Sequence, residues 1–148
     1  MTEDDFWSMI ELVDRKALWS QNPQAAIEPV VKRLSEAPAH EIQSFEEHLA
    51  KALYDLDGQE YFEEAGASKT DDTFLYARCF IVGAGREHYD SIRLNPAKWP
   101  KDKLYWFELL LSAGYTAWSR ATGRDESEWD YETEYSFETG CNTEAWDS

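Results

Sequence analysis

Residues 41–56 of the chain read EIQSFEEHLAKALYDL. Apolar side chains recur there at intervals of three or four residues, which puts them on one face of an α-helix, because a helix turns once in about 3.6 residues. We therefore predict an amphipathic helix from about Glu41 to Leu56, ending before Gly58. Its inner face would carry Ile42, Phe45, Leu49, Ala52 and Leu53. Its outer face would carry Glu46, Glu47 and Lys51.

Two further helices are predicted on the N-terminal side of this stretch. Thr2, followed three residues later by Asp5, is a capping signal for the first helix. Asn22 before Pro23 is a start signal for the second, which would end near Pro38. The first helix would run through one continuous apolar series: Phe6, Ile10, Val13 and Ala17.

The C-terminal side carries helical signals as well. A fourth helix would begin at Thr70 or Asp71 and end at Gly83, a shorter one would span residues 86–94, and the last would end at Gly123. Connections between these helices are short and no internal repeat is visible. The pattern predicts an all-α, single-domain bundle of about six to seven helices with an extended acidic and aromatic C-terminal segment.

That segment alternates between two kinds of side chain. Nine acidic residues follow Arg124, and no Lys or Arg follows it. A period of two is typical of extended backbone, which sends successive side chains to opposite sides. One side would carry Trp129, Tyr131, Thr133, Tyr135 and Phe137, and the other Glu128, Asp130, Glu132, Glu134 and Glu138.

The change in composition at Gly123 predicts two parts of the chain. Residues 1–124 would form the helical body, and residues 125–148 an acidic, aromatic appendage, called the C-terminal segment below. Its aromatic side has two compatible explanations. It could dock on the body while the acids face water, or it could anchor the segment while the acids meet a basic patch on another protein.

Length and charge restrict the function. A chain of 148 residues with 43% hydrophobic residues is long enough for one core, and its net charge of -16 repels nucleic acids and anionic membranes. A basic protein is the partner that this charge favours, and no nucleic acid or membrane partner is expected. Neither a secretory signal nor a membrane-spanning run is visible in the sequence, so a cytoplasmic location is expected.

Patterns that would carry chemistry are missing from the sequence. The three histidines lack the spacing of metal ligands, and no Gly-x-Ser-x-Gly motif occurs. Glu108 lies in an apolar run, where we expect a partly buried ion pair rather than a catalytic acid. We expect no catalytic residue, no metal and no cofactor. The sequence matches a calcium-binding loop only at the first positions of such a loop, with Asp55, Asp57, Gly58 and Glu60.

Two groups of residues carry a family resemblance. Asp5-Phe6-Trp7-Ser8-Met9-Ile10 forms the first, and the second is made of Asp71-Asp72-Thr73-Phe74, Arg78, Ile81, Gly85 and Tyr89. They resemble the bacterial family catalogued as domain of unknown function 4240, over about residues 4 to 96. The resemblance implies a small helical protein without assigned chemistry. It transfers no catalytic residue and does not include the C-terminal segment.

These observations lead to one main hypothesis and two alternatives. The main hypothesis is a non-enzymatic acidic binding protein, most simply an immunity or antitoxin-type protein that neutralises a basic toxin or effector. One alternative is a small-ligand protein or enzyme with an aromatic and basic pocket suited to an anionic or planar ligand. The other is a self-associating interaction module. The main hypothesis assigns the partner contact to Glu128, Trp129, Asp130, Tyr131, Glu132 and Glu134. The candidate pocket consists of Trp7, Tyr76, Arg78 and Trp106.

Overall fold

The computed structural model describes residues 1–146, which contain nine α-helices and no strand. The all-α prediction is therefore confirmed. The helices are α1 Glu3–Ile10, α2 Arg15–Trp19, α3 Pro23–Leu34, α4 Ala39–Asp55, α5 Gln59–Glu64, α6 Asp71–Gly83, α7 Arg86–Leu94, α8 Ala113–Thr122 and α9 Thr143–Trp146. Short 3-10 turns lie at Pro96–Lys98, Glu108–Ser112 and Glu126–Glu128.

Helix ends follow the local signals in the sequence. Thr2 and Asp5 cap α1 reciprocally, with N–H to side-chain oxygen distances of 3.1 and 2.9 Å. Side-chain oxygens of Asn22 and Thr70 accept the N–H groups that start α3 and α6. Gly123 ends α8 in the left-handed conformation, with φ of 74°.

The first predicted helix is divided in two by the structure. The chain leaves the helical path after Ile10 and starts α2 at Arg15, where the Asp14 carboxylate accepts the N–H of Ala17 at 3.1 Å. The Asp14 N–H donates instead to the carbonyl of Ala26 in α3, at 3.1 Å. The prediction of one continuous helix was wrong because a tertiary hydrogen bond and a local cap outweigh an uninterrupted apolar pattern.

Helix α6 lies at the centre of the core. Every residue from Phe74 to Gly83 except Tyr76 is buried, and α4, α7 and the 108–112 turn pack around this helix. A Cβ at Gly83 would lie 2.6 Å from the Phe107 ring, so close packing excludes a larger residue there. Helix α8 packs against both α3 and α4, and the C-terminal segment then returns over α4 and the start of α6.

A docked acidic segment as the candidate functional site

The predicted alternation of inward-facing and outward-facing side chains is present in the C-terminal segment from Trp129 to Glu134. Trp129, Tyr131 and Thr133 are half-buried, whereas Asp130, Glu132 and Glu134 are exposed. The backbone of residues 129–133 is irregular and belongs to no sheet within residues 1–146, and the chain bends at Glu134 and Tyr135. The Glu134 N–H donates to a side chain of the helical body, which helps to fix the orientation of the segment.

Glu47, on α4, holds the first half of the segment. Its Oε1 and Oε2 atoms accept the Glu134 N–H at 3.1 and 3.2 Å. The Tyr131 hydroxyl also donates to Glu47. Burial and this carboxylate raise the pKa of Tyr131 to about 12, so the phenol remains a proton donor near neutral pH. A body carboxylate therefore binds the acidic segment through the segment's neutral donors.

Aromatic packing supports the same half of the segment. Trp129 lies against Trp118 of α8 with ring centroids 5.5 Å apart. Tyr135 packs on Tyr54 of α4 at 4.9 Å, and the Lys51 ammonium lies 5.2 Å from the Tyr135 ring centroid. The aromatic side of the segment thus faces the body.

Asp57, directly after α4, holds the second half. Although fully buried, its carboxylate accepts the Gly140 N–H at 3.1 Å, the Asn142 N–H at 2.9 Å and the Trp146 indole N–H at 2.9 Å. The Cys141 thiol lies 3.4 Å from the same carboxylate, and burial, together with Asp57, raises the pKa of Cys141 to about 11. Four residues of the segment therefore surround one buried anion.

Arg78, on α6, is the corresponding buried cation. Its Nη1 donates to the Leu53 carbonyl at 3.0 Å and its Nη2 to the Thr139 hydroxyl at 3.1 Å, while its guanidinium lies over the Phe74 ring. Burial lowers the pKa of Arg78, and the nearby Asp57 charge opposes that shift. Thr139 in turn donates to the Asp71 carbonyl at 2.7 Å, which links the segment to the start of α6.

The exposed side of the segment presents three carboxylates, called the acidic row below: Asp130, Glu132 and Glu134. Within residues 1–146 none of the three forms a salt bridge. Glu128 differs, because it lies 3.4 Å from Arg124 and accepts the Asp125 N–H at 3.2 Å. Of the six residues predicted to contact a partner, three acids face water, Trp129 and Tyr131 face the body, and Glu128 caps a turn.

Glu46 corrects the prediction for the outer face of α4. It is only 9% exposed and meets α8 at Gly114, where a Cβ would lie 1.9 Å from its Oε1 atom. Burial raises the pKa of Glu46 to about 8, so its carboxyl group is protonated at neutral pH. Glu46 lies one residue before Glu47 on the helix that anchors the segment, and the sequence pattern gave no sign of its burial.

The four residues of the predicted pocket occupy three different environments. Tyr76 and Trp106 share one open cavity, with ring centroids 6.3 Å apart. Trp7 is buried against Tyr89 in another region, and Arg78 lies inside the core under the C-terminal segment. Glu108 is exposed beside Tyr76, which corrects the expectation of a partly buried ion pair.

Membrane-spanning helices and metal-binding clusters are both absent from the described residues. No helix within residues 1–146 is long and apolar enough to cross a membrane. No group of three or more His, Cys, Asp or Glu side chains in that range could hold a metal ion.

Fold and site define a single-domain, all-α protein with an acidic C-terminal segment docked on its helices. The chain belongs to the family described as "Protein of unknown function (DUF4240)", whose model matches residues 1–120. The predicted family resemblance is thereby confirmed. The match includes Glu47, Asp57 and Arg78 but ends before the segment that binds them. No curated protein and no solved structure matches the chain.

Proposed function

We propose that the protein is a non-enzymatic binding module whose acidic row, Asp130, Glu132 and Glu134, contacts a basic surface on another protein. The observation that carries this proposal is the two-sided arrangement of the C-terminal segment. Its aromatic and amide groups are bound by Glu47, Asp57 and the body, whereas the three carboxylates of the acidic row are exposed and form no salt bridge within residues 1–146. The row is therefore free to pair with an external partner.

Geometry and charge both favour such a contact. Half-buried and exposed side chains alternate along residues 129–134, as in an extended chain, whose alternate residues lie about 6.6 Å apart, so the row presents three closely spaced anions. A segment that is already docked loses less conformational entropy on binding than a flexible tail would lose. A net charge of -16 also accelerates encounter with a basic protein.

Among the biological roles that a binding protein of this kind can have, an immunity or antitoxin role is the one that this chemistry favours. Toxins that act on nucleic acids need basic surfaces, because their substrates carry a regular array of phosphates. A protein that presents spaced carboxylates can cover such a surface and exclude the substrate. In this proposal Trp129 and Tyr131 hold the row in place, and Glu132 and Glu134 carry most of the contact.

The test begins with the full-length tagged protein and a lysate of its native cells. We expect a basic protein to be retained at low salt and lost at high salt, as identified by mass spectrometry. Its affinity is then measured for Glu132→Lys/Glu134→Lys and for Glu36→Lys/Glu87→Lys, which changes the net charge equally but at exposed positions of the helical body.

The two double variants separate local contact from overall charge. We expect the row variant to weaken binding by about 10-fold or more, with a smaller salt dependence, and the Glu36→Lys/Glu87→Lys variant to have a much smaller effect. Equal losses in both variants would remove the acidic row from the interface. Failure to retain any stoichiometric basic protein would contradict the proposed function itself.

A further inference from the structure

An open cavity of about 400 Å³ lies between the start of α3, the middle of α6 and the Glu108–Ser112 turn. Its walls include Tyr76, Trp106 and Leu109, with Glu108 and Gln21 at the edge. No residue of the C-terminal segment up to Trp146 lines it. Its size is within the range of small-molecule sites, which is about 300 to 1,000 Å³.

Tyr76 and Trp106 form a fixed aromatic corner. Their rings meet edge to face, with an interplanar angle of 66°. The Trp106 indole N–H donates to the buried Ser68 hydroxyl at 2.9 Å, and the Phe107 N–H donates to the Tyr76 carbonyl at 3.0 Å. Because the indole N–H is already used inside the protein, Trp106 offers a ligand its π face rather than a donor.

The cavity has a negative electrostatic character. Glu108 is exposed and forms no salt bridge within residues 1–146, and no Lys or Arg lines the cavity. Burial, followed by the Glu108 charge, raises the pKa of Tyr76. The face of its phenol ring is a surface that attracts cations. An anionic ligand, which the sequence suggested through Arg78, does not fit this charge.

Gln21 adds evidence from the backbone. Gln21 has φ of 62°, in the left-handed region that favours glycine. The N–H of Gln21 donates to Leu18 and that of Asn22 to Ala17, which is the Schellman pattern at the end of α2. Local stability alone would select glycine at this position, yet the chain carries a side-chain amide at the edge of the cavity.

We propose that this cavity binds a small organic ammonium ion, with its head group against the rings of Tyr76 and Trp106 and its charge paired with Glu108. Trimethylammonium groups fit best, because they combine a diffuse positive charge with an apolar surface and need no hydrogen-bond acceptor. Gln21 then lines the site beside the ligand. This site is separate from the acidic row, so either proposal can fail without the other.

The test uses the full-length protein and choline as the probe, at constant ionic strength. The Trp106 indole N–H signal, assigned by comparison with Trp106→Phe, reports on binding in 1H–15N spectra. We expect a saturable shift with choline and about 10-fold weaker binding of 3,3-dimethylbutan-1-ol, the neutral analogue of the same shape. Equal binding of the two compounds would overturn the proposal, as would the absence of a shift.

Substitutions of single residues test which side chain contributes to choline binding. We expect Glu108→Gln to weaken choline binding by about 10-fold, whereas Glu36→Gln removes the same charge elsewhere and leaves affinity unchanged. Circular dichroism confirms that each variant is folded, and Glu108 is exposed enough for its substitution to be tolerated. Unchanged affinity in Glu108→Gln would overturn the assignment of this carboxylate.

A peptide containing trimethyllysine identifies the source of the head group. Binding tighter than that of choline would place the ammonium ion on the side chain of a protein, and weaker binding would favour a free molecule. Binding of either probe with the expected dependence on Glu108 supports an ammonium site. Failure of both probes excludes it.

Discussion

Asp57 and Arg78 are two fully buried charged side chains of the helical body, and consecutive residues of the C-terminal segment bind them. Thr139 accepts from Arg78 Nη2 at 3.1 Å, and the Gly140 N–H donates to Asp57 at 3.1 Å. A buried charge is costly unless hydrogen bonds compensate for its lost hydration. The segment therefore contributes to the stability of the family domain on which it lies.

Asp57→Asn tests this contribution. The amide keeps one oxygen but loses the negative charge, so the donors of Gly140, Asn142 and Trp146 are no longer all satisfied. We expect the free energy of unfolding to fall by about 2–4 kcal/mol. Urea denaturation followed by tryptophan fluorescence measures this change.

Asp55→Asn is the matched control for that variant. Asp55 lies two residues earlier and forms an exposed i, i+4 pair with Lys51 at 2.5 Å. Pairs of this kind contribute little to stability. Limited proteolysis should cut the C-terminal segment faster in Asp57→Asn only. Equal stability of the two variants would show that the segment does not compensate the Asp57 charge.

Tyr131→Phe tests the second anchor. The substitution keeps the half-buried ring and removes only the hydroxyl that donates to Glu47. We expect a loss of about 1 kcal/mol and faster hydrogen exchange at the Glu134 amide, which shares the same carboxylate. Tyr135→Phe is the control, because the Tyr135 hydroxyl makes no hydrogen bond within residues 1–146. Identical exchange at Glu134 in both variants would show that the Tyr131 hydroxyl does not hold the Glu47 carboxylate in place for the Glu134 amide.

Sequence patterns predicted the local features and missed the long-range ones. Capping by Thr2, Asn22 and Thr70 depends on neighbours within three residues, so these helix starts were visible. The alternation after Trp129 was visible for the same reason. Its acceptor Glu47 lies 84 residues from Tyr131, however, and no local pattern links two positions that far apart.

Burial of Glu46 is the clearest failure of the local rules. A charged residue beside another on α4 is normally solvent-facing, and helical periodicity treats the two alike. Its burial depends on α8, which supplies Gly114 at the contact and leaves space for the carboxyl group. The candidate pocket failed similarly, because Arg78 and Tyr76 are close in sequence but point to different sides of α6.

Glu46 should make stability depend on pH. Its pKa is about 8 in the folded protein and near its ordinary value of 4.5 when unfolded, so the folded state binds the proton more tightly. The stabilisation is complete below the unfolded pKa and is lost as pH rises toward 8. We expect the free energy of unfolding to fall by up to about 1 kcal/mol per pH unit in that window.

Glu46→Gln isolates the effect, since glutamine resembles the protonated acid at every pH. The difference in unfolding free energy between Glu46→Gln and the parent protein should grow in favour of the variant from pH 5 to pH 8. Other titrating groups cancel in this difference. A difference that stays constant across the window would show that Glu46 is ionised in the folded protein.

Gln21→Gly should make the protein more stable. Gln21 occupies the left-handed position that ends α2, where a side chain is strained and glycine is not. We expect the free energy of unfolding to rise by about 0.5–1 kcal/mol, measured by urea denaturation. Gln24→Gly, within the first turn of α3, should instead lower it by a similar amount, because glycine is unfavourable inside a helix. Destabilisation by Gln21→Gly would mean that the Gln21 side chain itself stabilises the fold. The presence of glutamine at this position would then be explained by stability and would no longer support a binding role at the cavity.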